Sequence, residues 1–442
     1  MVKQRRRLVQ KRDSTQHFLF SKTDTKSFKT KRTKARESAW KALKKLFPDV
    51  LSGKRFIDHC VNRLEAAGKF GAMAIKMDNL TSKTEESNTY KKILQALDAV
   101  CQKENGLWGI LEPGMLGCFF PNKDEFDCYK LARSFQKLIK NQSKETVTIG
   151  IAAFPTLKYE KHHILENACQ ALEHAAFFGP NSAQIFDAVS LNISGDQLYE
   201  KGDIKGAIEE FNQALLLDPS NTNVHNSMGV CYGVLEDYKN AKKAFKAAVD
   251  LDPNEYMAIY NLGLVYLLSG QPGKALKLFL KANSITADVF EIAFQTGKLY
   301  LERGEPKNAQ KLLVQASQLK PTASAVYRYM GECYATMNQV DAAIAAYKRA
   351  IKQNPGDAAS LSALGCLFDE QGENPEIAIM FCQESVGLSP ENGLFRHRLG
   401  QLYLKQNHLE DALKEFKKAN KFGHDARDFI KKIENQIRVK AS

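Results

Sequence analysis

The chain has 442 residues, of which 44% are hydrophobic and 26% charged, a composition typical of soluble globular proteins with two or three domains. No stretch approaches the ~20 continuous apolar residues of a membrane helix, and the basic N-terminus lacks the apolar core of a signal peptide. Nine cysteines without C-x-x-C pairs and nine histidines without metal-ligand spacing predict reduced thiols, a cytoplasmic location, and neither a metal site nor a cofactor.

The net charge of +13 is concentrated in residues 1–36, which hold 13 Lys or Arg against two Asp. This segment has no helical or strand period and too little apolar surface to offset its ordering entropy, so a basic disordered tail is predicted. Two interpretations stay open: a solvated arm, or weak binding to nucleic acid, an anionic membrane surface or an acidic protein. Four apolar residues of the tail would add anchoring or stacking: Phe18, Leu19, Phe20 and Phe28. A short amphipathic helix is predicted around Trp40.

Residues 37–187 have the pattern of an α/β domain. Strands are predicted at 71–77, 107–111, 115–120, 146–154 and 183–187. Amphipathic helices are predicted at 88–103, 124–141 and 164–178. This order resembles the diguanylate cyclase (GGDEF) domain, and so do three short sequences: DVLSGKRF, VTIGIAAFP and ENACQALEHAAFFGPNSAQIFD. The resemblance implies a nucleotide-cyclase-like fold, whose active members hold Mg²⁺ with carboxylates.

The catalytic residues of that family do not carry over to this chain. Lys76 stands at the first metal-binding carboxylate, and Gly114 and Met115 stand at the acidic positions of the hairpin. Ala176 and Pro180 replace the phosphate-contacting Lys and Arg. A protonated lysine repels a metal, so the domain is predicted to be catalytically inactive, and the chain not to be an enzyme. Nucleotide or cyclic-dinucleotide sensing stays open as an alternative. Lys76 and the 112–116 hairpin are expected to lie together on one sheet edge.

From residue 188 to residue 425 the sequence repeats. Glycines recur in steps of 34 residues and, at the last step, 35: Gly195, Gly229, Gly263, Gly297, Gly331, Gly365 and Gly400. In most units a small residue follows twelve positions later, a bulky one four beyond it, and a proline closes the unit. Each unit is therefore predicted to be two antiparallel helices that approach closely at the small residues and stack on their neighbours.

Two of these units, LGLVYLLSGQPGKALKLFLKA and MGECYATMNQVDAAIAAYKRAIKQNP, closely resemble the tetratricopeptide repeat. The resemblance implies an all-α superhelical solenoid of seven repeats over residues 188–425. The predicted fold class of the whole chain is therefore α+β multidomain, an α/β domain followed by this solenoid. Residues 426–442 are predicted to form a capping helix with Phe429, Ile433 and Ile437 directed inward. In the family, the first helices line a concave groove that binds a protein or peptide partner.

The repeat register assigns nine positions to that groove: Asn192, Asn226, Tyr260, Phe294, Lys298, Arg328, Glu332, Ser362 and His397. Asn226 and Asn261 resemble part of the family's carboxylate clamp, but Glu291 stands where a clamp lysine is needed, so no C-terminal carboxylate reader is predicted. The predicted function is a non-catalytic scaffold in bacterial signalling or assembly. The alternatives are nucleotide sensing by the GGDEF-like domain and nucleic-acid or membrane-surface binding through the tail.

Overall fold

A computed structural model describes residues 18–19, 47–78, 85–112, 114–142, 145–372 and 375–441. The predicted helix around Trp40 and most of the predicted tail lie outside these residues. The chain divides into two compact units, residues 1–261 and residues 262–442.

The first unit begins with an α/β layer structure. Its elements are α1 (Lys54–Arg63), β1 (Phe70–Met77), α2 (Glu85–Lys103), β2 (Leu107–Glu112), β3 (Met115–Pro121), α3 (Glu125–Gln142), β4 (Val147–Phe154), α4 (Ile164–Ala176) and β5 (Ala183–Ile185). The sheet order is β2-β3-β1-β4-β5, antiparallel except for the β4–β5 pair. The predicted strands and helices are confirmed to within three residues. Helix α1 was not predicted.

In the middle of β1, the two faces of the sheet carry side chains of different size. Met73 and Ile75 of β1 belong to the apolar cluster that contains residues of α2 and α3, whereas Ala72 and Ala74 belong to the cluster shared with α1 and α4. This follows from the alternation of side chains along a strand. The small residues let α4 approach the sheet closely: a Cβ on Gly150 of β4 would lie 2.0 Å from the main-chain oxygen of Ala168.

The sheet is followed in the same unit by helices α5 (Ala188–Glu200), α6 (Ile204–Leu217), α7 (Thr222–Val234) and α8 (Tyr238–Leu251), and α9 (Tyr256–Leu268) begins there. Asp or Asn side chains cap the N-termini of α5 to α8 by accepting a hydrogen bond from a main-chain N–H of the first turn. The apolar cluster on the α4 face of the sheet continues into α5, α6 and α7 through Leu191, Phe211 and Met228. The sheet and the first helix pairs therefore share one core, which explains why the compact unit extends past residue 187.

The second unit contains the rest of the helical array. Its helices are α10 (Pro272–Ile285), α11 (Phe290–Glu302), α12 (Pro306–Leu319), α13 (Ser324–Thr336), α14 (Val340–Gln353), α15 (Ala358–Glu370), α16 (Pro375–Leu388), α17 (Gly393–Lys405), α18 (Leu409–Lys421) and α19 (Arg427–Ala441). Helices α5 to α18 of the described chain thus form the seven predicted pairs. The predicted inward face of α19 is also confirmed: Ile433 is fully buried, and the Phe429 ring stacks on Phe416 at 4.8 Å between centroids.

The recurring glycines lie where the two helices of a pair touch. A Cβ on Gly229 would lie 2.6 Å from the Phe245 ring, and one on Gly331 would lie 2.7 Å from the Tyr347 ring. The predicted pairing of a small residue with a bulky one is thereby confirmed. Within the described residues, no helix combines the length and apolar character needed to cross a membrane.

Candidate functional site

Three groove positions predicted in the second unit meet around one aromatic ring that the register did not include. The Phe294 ring contacts Tyr329 edge-on at 5.6 Å between centroids. The Lys298 Nζ lies 5.5 Å from the centroid of the Tyr329 ring, and the Arg328 guanidinium lies 5.1 Å from it. Arg328 also pairs with Asp357 at 3.3 Å. The cluster is an aromatic surface flanked by two cations.

The other predicted groove positions of this unit differ in exposure. Ser362 is fully buried and accepts a hydrogen bond from Arg398 Nη1 at 3.2 Å, whereas Glu332 is exposed. His397 is half-buried, and burial, then the charges of His424 and Arg398, lower the pKa of its imidazole. Ser362 therefore has a packing role and no free surface for a partner.

In the first unit the predicted positions are buried polar groups. Asn226 and Tyr260 are 1% and 0% exposed, and Asn261 is also fully buried. The Asn261 Nδ2 donates a hydrogen bond of 2.9 Å to the Asn226 Oδ1, so the two carboxamides are coupled. Asn192 occupies the same register position one helix pair earlier, and its buried Oδ1 has no hydrogen-bond partner among the described residues.

The coupled carboxamides hold the main chain of Leu19. The Leu19 N–H donates to Asn261 Oδ1 at 2.8 Å, and the Leu19 oxygen accepts from Asn261 Nδ2 at 2.7 Å and from Asn226 Nδ2 at 3.3 Å. One carboxamide thus meets both polar groups of a single residue. This requires the N–H and C=O to point the same way, as in an extended strand and unlike a helix. The site presents to Leu19 what a neighbouring β-strand would present.

The side chain that precedes Leu19 fills an apolar slot. The Phe18 ring stacks on Phe245 with 6.0 Å between centroids and 20° between planes. A Cβ on Gly233 would lie 2.6 Å from the Phe18 ring. Gly229 and Gly233 are one helical turn apart on α7, so Phe245 packs beside the first and Phe18 beside the second. The disorder predicted for the tail does not extend to Phe18 and Leu19.

The sequence contains one feature that indicates this slot: a second glycine, Gly233, in the first helix of its repeat. Four positions after the recurring glycine, only the second repeat has another glycine, Gly233. The other repeats have Tyr199, Leu267, Leu301, Ala335, Asp369 and Leu404. Asn261 was noted in the sequence but was not assigned to the groove, because it lies one position later in its repeat than Asn226 does in its own.

The sheet brings the predicted residues of the hairpin together. Lys76 of β1 lies opposite Met115 of β3, so the expected proximity of Lys76 and the hairpin is confirmed. Asp78, the nearest carboxylate on the same strand end, accepts hydrogen bonds from the hydroxyls of Thr146 and Thr148 at 2.7 and 2.6 Å, and from the Asn181 N–H at 2.9 Å. Asp78 therefore fixes loops in place. No group of three or more His, Cys, Asp or Glu suited to a metal occurs among the described residues.

Two carboxyls, the half-buried Glu210 and the more exposed Glu173, lie at the contact between α4 and the first helix pair. Burial raises the pKa of Glu210 on α6 to about 7, and the Glu166 charge adds to the effect. Gln170 Nε2 donates to the Glu210 carboxyl at 3.2 Å and opposes the shift. On α4, burial also raises the pKa of Glu173, which accepts a hydrogen bond from Gln197 at 2.6 Å. The contact favours the neutral form of both carboxyls.

The contact should weaken as the pH rises. The folded-state pKa of Glu210 exceeds its ordinary value of 4.5, so folding is favoured by the protonated form of this carboxyl. The stability that the protonated form contributes is complete below pH 4.5 and is lost as the pH rises through about 7. We expect Glu210→Gln to unfold like the wild type at pH 4.5 and to be more stable at pH 8 by about 1 kcal/mol, a value discounted for solvent screening. Scanning calorimetry at both pH values measures this. Glu209→Gln, at the exposed neighbouring residue, is the control, and an equal effect of both substitutions would contradict the assignment.

Family comparisons match four parts of the helical array. Two descriptions read "Tetratricopeptide repeat", over residues 232–288 and 300–365; a third, also "Tetratricopeptide repeat", covers residues 395–422. A fourth, "TPR repeat", covers residues 195–233. A comparison with curated proteins finds no match.

A comparison with solved structures finds similar chains, two of which are named as tetratricopeptide repeat proteins. The protein YrrB, described as a TPR protein with an unusual peptide-binding site, is 20% identical, with a TM-score of 0.40 over 43% of this chain and 97% of its own. A tetratricopeptide repeat protein from Parabacteroides merdae is 17% identical, with a TM-score of 0.42 over 56% of this chain and 96% of its own. The Cut9–Hcn1 hetero-tetramer of the APC/C is 13% identical, with a TM-score of 0.45 over 71% of this chain and 60% of its own. Residues 195–288, 300–365 and 395–422 of this chain carry tetratricopeptide repeats.

Proposed function

We propose that this protein is a non-catalytic scaffold whose helix pairs bind an extended segment of a protein partner. The observation that carries the proposal is the Asn226–Asn261 pair, which makes three hydrogen bonds to the main chain of one residue. Two buried carboxamides that satisfy each other and still present a donor and an acceptor form a site for peptide main chain.

The α/β domain has a docking role in this proposal. It resembles the GGDEF domain in the order of its elements, but Lys76 and Met115 lie opposite each other where the family's metal-binding acids are expected. Its helix α4 contributes Leu165 and Leu172 to the cluster that includes Phe211 of α6. Burial of this apolar surface favours a fixed contact between the domain and the first repeats.

Nucleotide sensing, the alternative drawn from the same resemblance, has less support. A cavity of about 410 Å³ beside α1 is lined by apolar groups such as Phe47 and Trp108, together with Asp49 and His59. Among the described residues that line this cavity there is no lysine or arginine. A site for phosphates normally supplies cations or a helix N-terminus, so this cavity does not suit a nucleotide.

The scaffold proposal predicts that peptide binding depends on Asn261. Phage display of random peptides of about twelve residues should enrich binders against the full chain carrying Phe18→Ala, which removes the chain's own ring from the site, and adding Asn261→Ala to this protein should weaken their binding about tenfold or more. The loss corresponds to the ~1–3 kcal/mol cost of leaving hydrogen-bond partners unpaired. Fluorescence anisotropy of a labelled binder measures the Kd.

A matched substitution tests whether the effect is local. Asn420 is exposed on α18, so Asn420→Ala should leave both the fold and the Kd unchanged. Circular dichroism checks that each variant keeps its helix content. The proposal fails if no peptide is enriched, or if both asparagine variants bind the enriched peptides as tightly as the wild type.

A further inference from the structure

The peptide site between α7, α8 and α9 contains a segment of this same chain. Leu19 is hydrogen-bonded to Asn226 and Asn261, and Phe18 stacks on Phe245. We propose that this site recognises an aromatic residue followed by any residue except proline, and that residues 18–19 occupy it as an internal competitor which a partner of the same chemistry must displace. The proposal rests on the scaffold function and specifies both its ligand class and its regulation.

The aromatic requirement follows from the slot at Gly233. The slot exists because Gly233 has no side chain: a Cβ there would lie 2.6 Å from the Phe18 ring. Phe245 forms the next wall, with a ring stacked on Phe18 at 20° between planes. A flat ring fills a space bounded by a helix backbone and another ring, and stacking adds to the area that it buries. Leucine stands at the equivalent position in three other repeats, Leu267, Leu301 and Leu404, so the fold accommodates a side chain there.

The tolerance at the second position follows from the hydrogen bonds. The hydrogen bonds that join Asn226 and Asn261 to Leu19 go to its N–H and C=O, a pair of groups that nineteen of the twenty amino acids share. Proline alone lacks the N–H that Asn261 Oδ1 accepts. Asn192, one repeat earlier, keeps a buried Oδ1 without a hydrogen-bond partner among the described residues, and an N–H of a longer bound segment would satisfy it.

The internal location of the ligand makes it a regulator. A tethered segment acts at an effective concentration of about millimolar, so it competes strongly with a free segment of equal intrinsic affinity. A partner therefore binds when its own segment fits better, or when residues 18–19 are drawn away by another interaction of the basic tail. The affinity of the repeats for a partner would thus depend on residues more than two hundred positions away in sequence.

Fluorescence anisotropy with a labelled peptide of residues 12–26 tests the proposal on the full chain. Phe18→Ala in the protein empties the slot and should strengthen binding of the peptide at least tenfold relative to the wild type. Phe28→Ala removes the same ring elsewhere in the tail and should leave the affinity unchanged. Adding Gly233→Leu to the Phe18→Ala protein should weaken binding at least tenfold, because the leucine fills the slot.

Variant peptides separate main-chain from side-chain recognition. Against the Phe18→Ala protein, a Leu19→Ala peptide should bind within about threefold of the parent, whereas Leu19→Pro and Phe18→Ala peptides should each lose at least tenfold. Equal binding by the wild-type and Phe18→Ala proteins would overturn the internal competition and leave the scaffold function standing. The proposal would be overturned if none of the proteins bound the peptide. It would also be overturned if the apparent Kd changed with protein concentration, because segment 18–19 of a second copy would then fill the site. In the first of these cases peptide binding by the repeats fails as well.

Discussion

Replacing Gly150 with alanine should destabilise the first unit by about 3 kcal/mol or more, the largest effect expected of any one-methyl change in this part of the chain. The added Cβ would lie 2.0 Å from the Ala168 oxygen and 2.1 Å from the Leu172 nitrogen, both main-chain atoms of α4. A rotamer change cannot relieve a contact with backbone, so α4 must move away from β4. Since Leu165 and Leu172 of α4 share a core with the first repeats, the disturbance should spread to them.

Hydrogen exchange resolved by mass spectrometry measures this effect segment by segment. Peptides from β4 and α4 should lose protection in Gly150→Ala, whereas peptides from α17 to α19 in the second unit should keep theirs. Gly387→Ala is the matched control: a Cβ there meets no atom within 4 Å, so the protein should be as stable as the wild type or slightly more so. Wild-type protection of β4 in Gly150→Ala would show that the close contact is not required.

Replacing Arg396 with methionine should destabilise the second unit by about 3–5 kcal/mol. Arg396 and Glu415 are both 7% exposed, and their side chains meet at 2.5 Å. The Arg396 Nε also donates to the Pro390 oxygen at 2.6 Å. Without the guanidinium, the Glu415 carboxylate stays buried with only Lys418, at 3.4 Å, to compensate its charge.

The double variant Arg396→Met/Glu415→Leu separates two free energies of unfolding: the loss caused by leaving one charge buried and unpaired, and the stability that the ion pair itself contributes. Because two apolar side chains need no counter-charge, its stability should return to within about 1 kcal/mol of the wild type. Arg427→Met is the control, since its pair with Asp425 is exposed to solvent and should contribute little to stability. Thermal unfolding followed by calorimetry compares the four proteins. A double variant no more stable than Arg396→Met would contradict the explanation.

Periodicity explains how much of the fold the sequence made predictable. The helix pairs were predicted because six of the seven recurring glycines, Gly229 and Gly331 among them, face a bulky partner sixteen positions later, a separation that one hairpin fixes locally. The exception is Gly365, which faces Cys382. The strands were predicted to within three residues because alternating and continuous apolar runs mark half-buried and buried strands. Helix α1 was not predicted: its first three residues, KRF, belong to the sequence DVLSGKRF that resembles the GGDEF family, and only Phe56 and Cys60 of its ten residues are buried.

The candidate site was predicted only in part. Asn226 was assigned to the groove from its register, and the structure places it against Leu19. Its partner Asn261 and the slot residue Gly233 were not assigned, because each departs from the register that was used. Ser362 was assigned to the groove, but its side chain is fully buried, since burial depends on which helices pack over that face.

The repeat unit, its length and most of the small-to-bulky contacts within the helix pairs could be predicted from the sequence, because they depend on residues close together along the chain. The core that α4 shares with the first repeats, and the contact of Leu19 with Asn261, 242 residues away, became visible in the folded chain. Contacts of that separation leave no periodic trace, and the side chains that make them are chosen by complementarity in space and by the need to pair buried polar groups.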